Sequence, residues 1–179
     1  MHKKLRTHEL GRVDVNQYEQ LTKFPLVVVL DHVRSCNNIG SFFRTADAML
    51  IDSIHLCGYT ATPPNKEIHK TALGAEDSVL WKHFQTTEES VDLLKADGYA
   101  VFAVEQVQNS IMLPDFDAKK QGKIALVFGN EVKGVQQSVI DKCDGVIEIP
   151  QFGTKHSFNV SVSAGIVMWD IFKQLKWNR

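Results

Sequence analysis

Long apolar runs are missing from this chain of 179 residues. The longest, Leu26 to Leu30 and Ala164 to Trp169, hold five or six residues, whereas a helix needs ~20 to cross a bilayer. No membrane role is therefore expected. The amino end is basic but has no apolar stretch behind it, so it does not read as a secretory signal. Cysteine is scarce. Cys36, Cys57 and Cys143 are odd in number and far apart, which points to reduced thiols in a cytoplasmic protein and not to a disulfide frame. An excess of charge is missing too: 20 Lys and Arg face 21 Asp and Glu. No whole-molecule basic field advertises nucleic acid, and a local basic face is what remains open.

Several catalytic signatures are also absent. The stretch Asp31 to Ser41 has neither the G-x-G-x-x-G of a dinucleotide site nor the Gly-Lys-Ser/Thr of a phosphate loop. No G-x-S-x-G elbow occurs. His8-Glu9 lacks a second histidine at position 12, and His55 and Cys57 lack the partner pair a structural zinc requires. Hydride transfer, nucleotide hydrolysis by a phosphate loop and serine hydrolysis lose their basis, and no metal is expected.

What is present is an alternation of apolar strands and amphipathic helices. Leu26 to Leu30 is β-branched and apolar on both faces, as a central parallel strand should be. Ile39, Phe42, Phe43, Ala46, Met49 and Leu50 then recur with helical spacing, with Asn37 or Asn38 suited to cap the start. A strand near Ser53 to Cys57 leads into a loop broken by Pro63 and Pro64, and a short helix from Glu67 to Leu73 closes at Gly74. Thr86 and Glu89 form a capping box for the next helix, which ends at Asp97-Gly98. Strands at Tyr99 to Val104, Lys123 to Phe128 and Val146 to Ile149 follow, with a brief helix from Gln136 to Asp141 and a long one from Phe158 to Lys173. The expected class is α/β, a mostly parallel central sheet with helices on both faces. Ligands of such sheets lie outside the carboxyl ends of the strands, which singles out the loops after Leu30, Val104, Phe128 and Ile149.

Three clusters fall on or beside those loops. In the first, Asn38 opens a helix on which Arg44 lies off the apolar stripe and leans back toward the loop. Taken alone, the pair is better explained by a cap and a solvated arginine. In the second, a buried strand ends in Gly129, followed by Glu131 and Gly134. Glycines there allow close backbone approach or positive φ, and a plain strand-to-helix turn explains them equally. In the third, Ile149-Pro150 leads through Thr154 to Ser157 into a helix whose Ser161, Ser163, Ala164 and Gly165 make a poor helix by propensity. Ser157 or Asn159 can cap it.

Together the three clusters resemble the motifs of the SpoU (TrmH) family of RNA ribose 2′-O-methyltransferases, within the SPOUT class. Asn38-Ile-Gly-Ser-Phe-Phe-Arg44 matches N-x-G-[A/S]-x-x-R. Gly129-Asn-Glu-Val-Lys-Gly134 matches G-x-E-x-x-G. Ile149-Pro150 with Ser157-Phe-Asn-Val-Ser-Val-Ser163 matches the third, Phe158 standing where leucine is usual. The resemblance implies a SPOUT-type domain over residues 26–179 behind a short extension, 1–25, and a deep carboxyl-terminal trefoil knot, a feature essentially absent from folds at large. It implies S-adenosyl-L-methionine as cofactor, held by Val104, Gly129, Ile149 and Phe158, and an RNA substrate, tRNA or rRNA, for a homodimer. The catalytic set it implies is Arg44, Asn38, Glu131, Ser157 and Asn159. A guanidinium with pKa above ~12 is effectively never a free base, so Arg44 is expected to anchor phosphate and stabilise alkoxide charge, held by a bidentate pair with Glu131. Arg34, Lys133 and Lys155 on the loops and Lys70 farther off are the basic candidates for RNA, while Lys3, Lys4 and Arg6 at the amino end are better read as a disordered, solvated tail. Two alternatives stand beside this reading: a non-catalytic S-adenosylmethionine- or RNA-binding dimer of the same fold, and an enzyme acting on a small nucleotide.

Overall fold

The computed structural model describes residues 2–176. One sheet is built from β1 Phe24–Asp31, β2 Ile51–Cys57, β3 Leu80–Phe84, β4 Tyr99–Val104, β5 Ile111–Met112, β6 Lys123–Phe128 and β7 Gly145–Glu148. The strands lie in the order β3-β2-β1-β6-β4-β7-β5 and pair in parallel throughout. The helices are α1 Val15–Gln20, α2 Cys36–Ala48, α3 Lys66–Ala72, α4 Ala75–Ser78, α5 Thr87–Ala96, α6 Gln137–Ile140 and α7 Val160–Lys176. Among the described residues no helix is long and apolar enough to cross a membrane.

The central strand shows why two helical layers are needed. Its side chains alternate between faces. Leu26, Val28 and Leu30 enter a core with Phe42, Phe43, Phe128, Met168 and Ile171, roofed by α2 and α7. Val27 and Val29 enter a second core with Val91, Leu94, Val101 and Val139, roofed by α5 and α6. Strand β6 sits between β1 and β4 although the chain forms both of those first. Its carboxyl end therefore lies at the middle of the sheet, between the loops that leave β1 and β4.

Three local details differ from the sequence reading. Helix α2 is capped by Ser35, whose Oγ accepts from the Asn38 N–H at 3.3 Å, and not by Asn37 or Asn38. That frees the Asn38 side chain for other partners. Helix α3 ends one residue before the expected glycine: Leu73 itself takes the left-handed conformation at φ 55, ahead of Gly74. At the carboxyl edge, α7 begins at Val160, two residues later than expected, leaving Ser157, Phe158 and Asn159 in extended chain.

Helix α3 lies so close to α2 that a side chain at Gly40 has no room. A Cβ there would sit 2.1 Å from Thr71 Oγ1 and 2.3 Å from the Ile68 carbonyl oxygen. Thr71 Oγ1 in turn donates to the Asn37 carbonyl at 3.0 Å, joining the end of α3 to the start of α2. Gly40→Ala is expected to lower stability by about 1–3 kcal/mol, the ordinary cost of overpacking, read as a shift in the urea unfolding midpoint at unchanged m-value.

Candidate active site

The loops that leave β4, β6 and β7 surround a cleft of about 720 Å³. Val104 and Glu105 line it from the first, Gly129 to Val135 from the second, and Ile149 and Gln151 from the third, with Ser157, Phe158, Asn159 and Ser163 closing the far side. The middle loop is folded on itself. Asn130 and Gly134 exchange backbone hydrogen bonds of 3.0 and 2.8 Å, and Asn130 Oδ1 accepts from the N–H groups of Val132 and Lys133 at 2.9 and 3.1 Å. Gly134 takes φ 69. Gly129 is needed for closure: a Cβ there would lie 2.1 Å from the Gly134 carbonyl carbon and the Val135 nitrogen.

Three carboxylates then fix this loop to its neighbours. Glu131 Oε2 accepts from the Arg34 N–H at 3.0 Å, and its Oε1 from the Ser35 N–H at 2.9 Å and from Asn38 Nδ2 at 3.0 Å. Glu105 Oε2 accepts from the Val135 N–H at 3.0 Å. The fully buried Asp31 accepts from the Gln136 N–H at 2.8 Å, from Gln136 Nε2 at 2.9 Å and from Thr87 Oγ1 at 2.6 Å. Hydrogen bonds to an ionised acceptor are about twice as strong as neutral ones.

The network continues into α7. Asn38 Oδ1 accepts from Asn159 Nδ2 at 3.2 Å and from Ser161 Oγ at 3.4 Å. Asn159 Oδ1 caps α7, accepting from the Ser161 N–H at 2.9 Å and the Val162 N–H at 3.4 Å. One line of polar contacts thus runs from Glu131 to Asn38, 93 residues away in sequence, and on to Asn159, a further 121 residues along the chain. Residues 25–169 match the SpoU rRNA Methylase family.

The chain belongs to that family. It is 31% identical over 165 residues to the putative TrmH family tRNA/rRNA methyltransferase of Staphylococcus haemolyticus, covering 90% of this chain and 65% of that one. To the protein of the same description in Staphylococcus saprophyticus it is 29% identical over 160 residues, covering 89% and 63%. The chain thus spans less than two thirds of these relatives' length. Among solved structures it superposes on the AdoMet-bound rRNA methyltransferase of Sinorhizobium meliloti with a TM-score of 0.78 and 26% identity, over 93% of this chain and 62% of that one. The TrmH/SpoU tRNA modifying enzyme of A. aeolicus gives a TM-score of 0.77 at 24% identity, over 89% and 79%, a likeness of fold.

In this SpoU chain the residues singled out from sequence divide into two groups. Val104, Gly129, Glu131, Ile149, Ser157, Phe158 and Asn159 all line the cleft, and Asn38 is bonded to two of them. Arg44 stands apart. It is exposed on α2, two helical turns beyond the capped end, and does not line the cleft. The expected Arg44–Glu131 pair is not formed; the oxygens of Glu131 accept instead from the N–H groups of Arg34 and Ser35 and from Asn38 Nδ2. Two participants escape the sequence reading. Asn130 is visible only as a turn-forming asparagine inside G-x-E-x-x-G. Glu105 carries no signal, being one acid after a strand.

Burial would push the Glu131 carboxyl up, but the amides of Arg34 and Ser35 and the Asn38 side chain outweigh it and hold the group below the ordinary carboxylate value. Its stabilising contribution is therefore complete above the ordinary pKa of about 4.5 and fades only as pH falls through the lower folded-state value. Glu131→Gln offers one acceptor oxygen for three donors. It is expected to cost about 1 kcal/mol after allowance for its solvent exposure and to flatten the acid limb of stability against pH. Denaturant unfolding of both proteins between pH 3 and 7 checks this.

Proposed function

We propose that the chain is an S-adenosyl-L-methionine-dependent methyltransferase acting on a ribose 2′-hydroxyl of a structured RNA, tRNA or rRNA. The observation that carries the reading is the closed loop from Gly129 to Gly134, which walls a cleft at the carboxyl ends of β4, β6 and β7 while its Glu131 reaches the polar network of α2 and α7. The family membership and the AdoMet-bound relative support it.

The cleft suits that cofactor. Its volume lies within the roughly 300–1,000 Å³ usual for small-molecule sites. Val104, Ile149 and Phe158 offer apolar walls, and the loop offers backbone polar groups. Glu105 and Glu131 line it against a single lysine, Lys133, a balance that favours a cationic ligand. Bound there, S-adenosylmethionine supplies a methyl group already activated by its sulfonium. The chain's own share is placement. Ser157 and Asn159 stand where extended chain meets α7, at the cleft's far side, and would orient the ribose, with Asn38 and Glu131 fixing Asn159 from behind. Holding two reactants in line is worth ~7–11 kcal/mol of barrier. Arg44 would act from outside the cleft, its guanidinium gripping RNA phosphate and stabilising charge on the ribose oxygen while the proton leaves through phosphate or water.

Further parts of the same reading concern the whole molecule. Residues 26–179 would form the methyltransferase domain and 1–25 an extension to it, although the extension is not bare: α1 is capped by Asp14 and buries Tyr18. The segment between β7 and α7 passes beside the β4 loop, where Gln106 Nε2 donates to the His156 carbonyl at 2.7 Å, as a knotted course would require. Val162 and Trp169 lie half exposed one heptad apart on α7, with Gly165 between them, a face suited to a second copy of the chain. Cys36, Cys57 and Cys143 are all free thiols, in keeping with the cytoplasm. The position of Arg44 outside the cleft is the one observation that favours the alternative, a non-catalytic S-adenosylmethionine- or RNA-binding dimer.

Transfer of tritium from labelled S-adenosylmethionine to total RNA, followed by nuclease digestion, separates these readings. The enzyme is expected to yield a 2′-O-methylated dinucleotide and to leave free nucleosides unlabelled. Arg44→Ala is expected to lower transfer by roughly 100-fold or more with cofactor affinity unchanged. An equal loss of cofactor binding would exclude Arg44 as the phosphate grip and charge stabiliser.

A further inference from the structure

Beside the cleft stands an aromatic ring that placement of cofactor and ribose does not use. Tyr59 follows β2 and is 54% exposed, yet it is held on several sides. Its hydroxyl accepts from Asn130 Nδ2 at 3.0 Å. Its backbone N–H donates to His32 Nδ1 at 3.3 Å, and the His32 ring centroid lies 4.3 Å from its own. Asn130 is buried, and the same Nδ2 also donates to the His32 carbonyl at 2.8 Å. The ring is thus anchored to the residue that precedes Glu131 in the cleft loop.

Two residues beside it take left-handed backbone. His32 adopts φ 56, a left-handed conformation that histidine enters more readily than most residues with a side chain. Gly58 adopts φ 62, and a Cβ on it would lie 2.0 Å from the His32 ring. A tyrosine needed only for packing would be buried. This one is tied by its hydroxyl and its backbone N–H while about half of it stays exposed. Arg34 completes the group: its guanidinium lies 5.7 Å from the ring centroid, it enters no salt bridge among the described residues, and its own N–H binds Glu131.

We propose that Tyr59 is a stacking platform for an RNA base flanking the ribose to be methylated, with Arg34 set to meet the adjoining phosphate. The inference rests on the RNA reading above and deepens it. A half-exposed aromatic ring beside a guanidinium that has no carboxylate partner among the described residues is the chemistry that receives an unpaired base, since every base has a π-face and stacks without regard to sequence. Recognition of RNA by this means requires the target nucleotide to lie in a loop or bulge.

The test compares the full chain with Tyr59→Ala, Tyr59→Phe and Tyr59→Leu, using hexa-adenylate RNA, an abasic hexamer of the same backbone and bulk transfer RNA as probes. Tyr59→Ala is expected to weaken hexa-adenylate binding by about 5- to 150-fold and to leave abasic binding and S-adenosylmethionine affinity unchanged. Tyr59→Phe keeps most of the affinity because it keeps the ring. Tyr59→Leu, which retains apolar bulk, gives the same loss as alanine and serves where truncation impairs folding. Wild-type affinity for hexa-adenylate in Tyr59→Leu, or an equal loss on the abasic probe, overturns the proposal. Failure of the underlying reading looks different: the wild-type chain then binds neither cofactor nor transfer RNA, and the proposal falls with it.

Discussion

The cleft exists because carboxylates accept hydrogen bonds from backbone amides that have no other acceptor. The N–H groups of Arg34, Ser35, Val135 and Gln136 all lie in loops, outside any helix or strand ladder. They are satisfied by Glu131, Glu105 and Asp31. Loop amides usually turn to water. In this chain they converge on fixed charges, and three loops that would otherwise move independently are tied into one wall. The placing of the β6 loop along the cleft follows from that closure.

Position in the sheet explains why the closure occurs where it does. Because β6 lies between β1 and β4, the loop that leaves it has one neighbour on each side. Glu131 reaches the β1 loop and Asp31, at the end of β1, reaches forward to Gln136, while Glu105 comes from the β4 side. The glycines at 129 and 134 then have a purpose that their spacing alone leaves open. Gly134 supplies a left-handed turn, and Gly129 avoids a collision with the loop's own backbone. Nothing in the closure requires Gly129 to make way for a ligand.

The sheet is legible in the sequence where its strands are apolar on both faces. The boundaries of β4 and β6 coincide with the apolar runs Tyr99 to Val104 and Lys123 to Phe128. Strands β3 and β5 are not legible, because β3 is an edge strand with Leu80, Lys82 and His83 exposed and β5 holds two residues. The cleft is legible as a set of loop positions, since strand ends are local features. Its wiring is not. The partners of Glu131 are backbone amides 96 and 97 residues away, and an amide leaves no mark on the sequence. The expected pairing of Arg44 fails for a related reason: helical lean says which way a side chain points, while the fold of distant loops decides which donors meet the Glu131 oxygens.

Amide hydrogen exchange followed by NMR tests the closure most directly. The account predicts that the N–H groups of Arg34, Ser35, Val135 and Gln136 exchange slowly for loop residues. It also predicts that replacing Glu131 by glutamine releases Arg34 and Ser35 while Gln136, bonded to Asp31, stays protected. Fast exchange at all four in the unaltered protein, at the rate of an open loop, would contradict it.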